Sequence, residues 1–364
     1  MPRYRLTIAY DGTEFCGWQK QEPVAPAPGS ATAPPPDQTP APLDRMGGKA
    51  LRESLRAPQL DPFATAEPLP IREGETQPRV ALRTVQHVVE RAIIAVVREP
   101  VVLIGASRTD SGVHAKGQVA AFSCSPLDPN PDQAPRGDRA ADFDSSLLPN
   151  EPPSPPAPNT PRGAGWPLSR GTDRLLRAIN SRLPDDVQVI AAEHTSPDFN
   201  PIGGATRKAY SYTFHAARDH ARPLWDRRYV HHVHDHLDAA AMDAAARQLV
   251  GEHDFASFAA SGHGRLSTIR TVYACTVTEL IPTREGRRIR IEIVGNGFLW
   301  NMVRIIAGTL LDVGRARKRA ADIPSILAAR DRAFAGPTLP PTGLCLEWIE
   351  YAASRERRAD SMAE

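Results

Sequence analysis

Apolar and polar side chains alternate from the first residues. Tyr4, Leu6, Ile8 and Tyr10 take every second position of Arg3–Tyr10, the pattern of a strand with one buried face. Asp11-Gly12 follows as a turn signal. After Thr84 the period changes. Val85, Val88, Val89, Ala92, Ile93, Val96 and Val97 recur at spacings of three and four, which predicts an amphipathic helix with Thr84 as its N-cap. Further on, the pattern predicts strands at Val101–Ile104 and Gln118–Cys124 with a loop, Ala106–Gly117, between them. A helix at Asp173–Leu183 and strands at Val187–Ala192 and Arg207–His215 come next. Leu237–Val250 is alanine-rich and helical, and Thr271–Ile281 and Arg288–Val294 alternate as strands. Phe298–Val313 reads as a strong helix closed by Gly314, Asp322–Ala329 as a short helix, and Leu344–Tyr351 as a last strand. Strand often follows strand at hairpin-like spacing, so the expected class is α+β with a central, mostly antiparallel sheet flanked by helices. The ordered chain divides near Pro197–Gly204 into an N-terminal domain, 1–196, and a C-terminal domain, 197–353, followed by a polar tail, 354–364.

Proline placement sharpens this outline. Of 36 prolines in 364 residues, 13 fall in Glu22–Arg79 and 12 in Pro126–Arg170. The remaining 261 residues hold 11, an ordinary share. The two stretches, 22–79 and 126–170, therefore read as inserts, disordered or loosely looped, that replace turns and lie outside the active cleft. They are net acidic, which leaves the rest of the chain at +6 although the whole carries only +2, so a polyanionic partner is compatible with the core. No apolar run approaches the ~18 residues of a membrane span. The N-terminus starts as a strand rather than a signal peptide. Four scattered cysteines, Cys16, Cys124, Cys275 and Cys345, fit a reducing cytoplasm and give no zinc spacing.

Chemistry concentrates in Ala106–Gln118, a loop between strands that holds Arg108, Asp110, His114 and Lys116 with two glycines. Asp110 has the chemistry of a nucleophile or a base, and Arg108, two residues away, is placed to keep it ionised by charge pairing. The plain alternative is a solvated loop with a weak surface ion pair. Tyr210 and Tyr212 share a face of their strand, so periodicity does not choose between them. Arg304 lies among Val303, Ile305 and Ile306, and an arginine in that setting needs a carboxylate or phosphate partner unless it sits on the polar face. His231, His232, His234 and His236 suggest a metal, but no Cys or carboxylate at ligand spacing supports one, and strand alternation ending near Asp235 explains them better.

Five ordered stretches resemble one family. Gly105–Phe122 is similar to the catalytic loop of the tRNA pseudouridine synthase A family. Tyr10–Gln21, Thr206–Phe214, Gly251–Phe258 and Gly295–Gly314 resemble its first strand and turn, its tyrosine strand, its helix-end motif and its long C-terminal helix. The resemblance covers essentially all the chain outside the inserts. It implies isomerisation of uridine to pseudouridine in the anticodon stem-loop of tRNA, at positions 38–40, in a cytoplasmic homodimer that uses no metal or other cofactor. It implies Asp110 as catalytic nucleophile with Arg108 and Arg304 beside it, and it implies substrate binding by Tyr210, Leu344, Leu346 and His114. One departure stands out. Where the family pattern expects Phe-His-Ala-Arg before the tyrosine strand, this chain has Phe199-Asn200-Pro201-Ile202, which puts RNA contacts there in doubt.

Arg284–Arg332 carries 11 basic and 5 acidic residues, and Arg315, Arg317, Lys318 and Arg319 cluster after Gly314, a patch suited to a phosphate backbone or simply a solvated helix end. The alternatives are the same isomerase acting on another RNA site, a non-catalytic RNA-binding protein of this fold, and a glycosidase. The last needs a second acid near Asp110, and the loop offers none.

Overall fold

A computed structural model describes residues 1–25, 65–69, 79–127, 164–217, 222–260, 267–283 and 286–352. The tail 354–364 and most of both proline-rich stretches lie outside the described residues. Ten strands form one sheet. Its main path runs β6 (Val187–Thr195), β1 (Arg3–Tyr10), β5 (His114–Ser123), β12 (Leu344–Tyr351), β7 (Ala205–Ala216), β11 (Gly286–Gly295), β10 (Ile269–Thr283) and β9 (Gly251–Asp254). The short β4 (Ile104–Gly105) adds to β5, and β8 (His231–Val233) adds to β7. A separate pair joins β2 (Glu67–Pro68) to β3 (Val80–Ala81). Every pairing in the large sheet is antiparallel except β5–β12 and β7–β8. The class is therefore α+β with a mostly antiparallel sheet.

Alternation buries one face of each strand. In β1, Tyr4, Leu6 and Ile8 are fully buried and Tyr10 nearly so. They pack with α1 (Val85–Val97), whose N-cap Thr84 accepts a hydrogen bond from the His87 amide, as the sequence predicts. α2 (Gly171–Asn180) backs β6, and α3 (Ala239–Arg247) backs β10. α4 (Met302–Gly314) is buried along nearly its whole length, and α5 (Ile323–Ala329) closes the C-terminal half. One apolar core runs beneath both halves. Among the described residues no helix is long and apolar enough to cross a membrane.

Several boundaries differ from the sequence reading, each for a pairing reason. β5 starts at His114, not Gln118, because β12 pairs with its first residues and β1 covers the rest. Val101–Ile104 alternates but finds a partner only at Ile104–Gly105, and Val102 stays exposed. α4 begins at Met302, not Phe298, because Asn301 takes a left-handed conformation (φ 59°) that interrupts helical geometry. Gly314 is its last helical residue rather than a cap. The second proline-rich stretch ends earlier than residue 170. Ala164–Trp166 are buried, Trp166 belongs to the core, and Leu168–Arg170 form a 3-10 turn into α2. Both stretches are pinned where they leave the core, by bridges between Val24 and Arg79 and between Pro126 and Trp166.

Candidate active site

The two halves of the sheet meet at the parallel β5–β12 seam, held by the pairs Cys345–His114 and Leu346–Ala115. Register carries one row of side chains straight across it. Tyr10 pairs with Ala115, Ala115 with Leu346, Leu346 with Tyr210, and Tyr210 with Ile293. A second row sets Leu344 beside Tyr212 and Ile291. Leu344, Leu346, Tyr210 and Tyr212 are all buried, so the seam has an apolar floor with two phenols in it.

The phenols differ in what they reach. Tyr212 donates to the Pro340 carbonyl at 2.9 Å, a structural tie. Tyr210 meets the Ser107 hydroxyl at 3.0 Å, inside the loop that carries Asp110, and its ring meets Phe298 edge-on with centroids 5.2 Å apart. Burial pushes the Tyr210 phenol up to about 12, with the Ser107 hydrogen bond working against the rise and the Asp110 charge adding to it. Burial also raises Tyr212 well above its ordinary range, although the Arg304 charge opposes this.

The loop is held from three sides, which explains the residue types around it. From the first turn, Trp18 N–H donates to the Thr109 carbonyl at 3.0 Å, and Phe15 O accepts from Gly112 N at 3.3 Å and Ser111 Oγ at 3.1 Å. Gly12 lies so close to Val113 that a methyl group there would overlap the Val113 carbonyl oxygen. From the floor, Tyr10 Oη and Thr109 Oγ1 share a 2.8 Å hydrogen bond. From β5, the fully buried Gln118 grips Ser107 by both ends, accepting from its amide at 3.2 Å and donating to its carbonyl at 2.6 Å. The loop itself turns at Gly112 (φ 78°), a conformation that disfavours other residues.

On this mount, Asp110 is 36% exposed at its side chain, and each carboxylate oxygen meets one donor. Arg304 Nη1 lies 3.3 Å from Oδ2, and Trp300 Nε1 lies 3.3 Å from Oδ1. Arg304 is aimed by two further bonds, Nε to the Leu339 carbonyl at 2.6 Å and Nη1 to Asn301 Oδ1 at 2.8 Å. The left-handed Asn301 thus both starts α4 and steers its arginine. The sequence placed Arg304 on an apolar helix. The structure places it at the edge of the core with its charge directed at Asp110.

The charge pairing expected of Arg108 changes. Arg108 is exposed and forms no ion pair with Asp110. Two positions along an irregular loop, the side chains diverge, and the pairing passes to Arg304. His114, which the resemblance implies for substrate binding, lies away from the apolar floor. Neighbouring residues of a strand face opposite ways, so with Ala115 in the floor row His114 turns to the reverse face. There it is buried against Tyr229 with ring centroids 5.0 Å apart. Its Nδ1 lies 3.1 Å from the Gly12 amide and 3.2 Å from Asp11 Oδ1, accepting from the first or donating to the second according to tautomer. Burial opposes ionisation of Asp11, but hydrogen bonds from His114, Thr13 and Tyr229 outweigh it and hold that carboxyl well below the usual range.

Sequence reasoning missed Trp300, Asn301, Ser107, Thr109, Gln118 and the Leu339–Pro340 carbonyls. All but the last two lie inside stretches already singled out, but no period marks which side chains of a loop converge. Elsewhere, Arg315 pairs with Asp235, Arg317 with Asp312 and Arg319 with Asp322, so much of the basic cluster after α4 is locally neutralised. His232 and His234 contact ring to ring at 4.4 Å. Asn200 closes a turn by accepting from the Ile202 and Gly203 amides at 2.9 and 3.0 Å, so the departure from the family pattern there has a structural use. A cleft of about 680 Å³ lined by Arg247, His253, Asp254 and Arg330 does not involve Asp110, and both its arginines are paired with neighbouring aspartates.

A family model described as tRNA pseudouridine synthase matches residues 245–352, which span α4, Arg304 and β12. The tRNA pseudouridine synthase A 2 of Clostridium perfringens is 30% identical over 351 residues, 96% of this chain and 100% of that protein. The tRNA pseudouridine synthase A of Moorella thermoacetica is 32% identical over the same shares. That of Geobacter sulfurreducens is 36% identical over 268 residues, 74% of this chain and 90% of its own.

Proposed function

The chain belongs to the tRNA pseudouridine synthase A family, and from that premise we propose that it isomerises uridine to pseudouridine in the anticodon stem-loop of tRNA, at positions 38–40, with Asp110 as the nucleophile. The observation that carries this reading is the Asp110 carboxylate, held between a guanidinium and an indole N–H at the mouth of an apolar floor that contains Tyr210.

The reaction breaks the N1–C1′ bond and joins C5 to C1′. The C5 proton leaves to water and N1 regains one, so substrate and product are isomers and no second substrate is needed. An anionic carboxylate supplies the electron pair that supports the separated ribose or base. The Arg304 guanidinium lies 3.3 Å from Oδ2 and pairs with that carboxylate. Tyr210, neutral at physiological pH, offers a ring on which an extruded uracil stacks, and Leu344 and Leu346 continue that apolar surface. The freed uracil must be retained until it rejoins, which an apolar floor favours over a solvated one. Arg108, exposed and unpaired among the described residues, is assigned to the RNA rather than to Asp110. His114 is assigned to holding the Asp11–Gly12 turn beneath the catalytic loop. The same reading makes the protein a cytoplasmic homodimer, for which light scattering of the purified protein is the check, and keeps the division at residue 197 as its domain boundary.

Mapping pseudouridine in an unmodified tRNA transcript with uridines at 38, 39 and 40 tests the proposal. Modification confined to those positions, and lost in Asp110→Ala with tRNA binding retained, is the expected result. Pseudouridine elsewhere only, or an active Asp110→Ala, overturns the substrate or the nucleophile respectively.

A further inference from the structure

We infer that Trp300 is a positioning residue of this site, orienting the Asp110 carboxylate through its indole N–H and presenting its open ring face to an RNA base. The inference rests on the reading of Asp110 given above, and it adds a residue and a contact to it.

The placement of Trp300 sets it apart from core tryptophans. Trp18 and Trp166 are 2% and 5% exposed, whereas Trp300 is 50% exposed although its neighbours Leu299 and Met302 are buried. Its main chain is fixed. The Trp300 carbonyl accepts from Ala260 N at 3.1 Å, and Asn301 beside it holds the left-handed turn that opens α4. Because that turn precedes the helix, residue 300 is freed from helical spacing, and its indole N–H reaches Asp110 Oδ1 at 3.3 Å.

Single exposed aromatics are common on protein surfaces and by themselves mean little. This one makes its polar contact with the reacting carboxylate. A carboxylate on a loop turns freely about its side-chain torsion unless both oxygens are held. Arg304 fixes Oδ2, and without the indole Oδ1 faces solvent. The two donors come from one short segment, so the turn that opens α4 and the helix's first residues set the carboxylate plane together. The ring edge is thereby committed to Asp110 while half of the residue stays open to solvent. A flat, half-exposed aromatic at that spot offers a stacking surface to the extruded uracil or its neighbour, a contact available to any base because every base has a π-face.

Two variants separate the two roles. Trp300→Phe keeps a ring and removes the N–H. With an unmodified tRNA transcript it is expected to lower kcat about tenfold while KM stays within about twofold. Trp300→Ala removes both and is expected to raise KM about tenfold as well. The part of the tryptophan emission that is missing from Trp300→Phe should be quenched when the transcript binds the wild-type protein. A residue that merely fills space would instead lower the melting temperature and move neither kcat against KM nor the emission. A Trp300→Phe kcat within twofold of wild type overturns the orienting role, and an unchanged KM in Trp300→Ala together with unquenched emission overturns the stacking role. Failure of the parent reading looks different, because Asp110→Ala would then still form pseudouridine whatever Trp300 does.

Discussion

Replacing Asp110 by asparagine separates structure from chemistry most cleanly. The side chain keeps its shape and an oxygen able to accept from Trp300, but it loses the charge that faces Arg304 and the carboxylate oxygen pair proposed to attack. The structural effect is small. The pair spans 3.3 Å, yet the aspartate side chain is 36% exposed, so water screens much of the attraction and its loss is about 1 kcal/mol or less. In a domain of more than 150 residues that lowers the melting temperature by roughly 2–4 °C. Arg304 retains its bonds to Leu339 and Asn301 and does not become an uncompensated orphan. With Asp110 as the proposed nucleophile, the expected loss of activity is far larger, at least about a thousandfold in kcat, or ~4 kcal/mol of barrier. The assay follows from the bond changes. tRNA labelled with tritium at uridine C5 releases it to water when C5 joins C1′. Asp110→Asn should release no tritium above the uncatalysed background while melting within about 4 °C of wild type and binding tRNA. Retention of more than a tenth of the wild-type rate would refute the nucleophile assignment. A melting temperature lowered by 10 °C or more would refute the view that this carboxylate is a reacting group on an independently stable mount.

Arg304→Met removes one charge-assisted bond to Asp110, and kcat should fall about tenfold to a hundredfold in the tritium assay with the fold retained. Arg304→Lys should recover little of this, since one ammonium cannot serve the Leu339 carbonyl, Asn301 and Asp110 together. Gly12→Ala forces the first turn away from Val113, and because that turn holds the loop carrying Asp110, activity should drop severalfold at a smaller cost in melting temperature. Burial raises the phenols of Tyr4, Tyr10, Tyr210, Tyr212 and Tyr351 above the ordinary value of 10. Between pH 10 and 12 the unfolded chain sheds these protons and the folded chain keeps them, so stability that is complete below pH 10 is lost as pH rises through the folded values. Melting temperature should fall steeply across that window, and the phenolate absorbance of these five buried tyrosines, as distinct from that of the exposed Tyr229 and Tyr273, should appear together with unfolding rather than before it.

The elements were largely legible in the sequence, because a period of two or of 3.6 is a local property of the chain. Arg3–Tyr10 and Leu344–Tyr351 run as the alternation indicated, and Thr84 caps α1. The loop carrying Asp110 stood out by its composition, and the roles of Asp110, Tyr210 and Arg304 by resemblance to a family. Register and convergence were beyond its reach. Nothing between residues 114 and 345 states that β5 and β12 lie side by side and parallel, yet that seam aligns Ala115, Leu346 and Tyr210 into one floor and turns His114 to the other face. Nor does spacing reveal that Asp110 leaves the nearby Arg108 for an arginine 194 positions away, or that a tryptophan just outside a helix takes its other oxygen. The chain's own pattern set which face of each strand is buried, since solvent drives that choice residue by residue. Which buried or half-buried groups then meet depends on how whole elements pack, where the gain from shared apolar area and satisfied hydrogen bonds is collective and no single segment contains it.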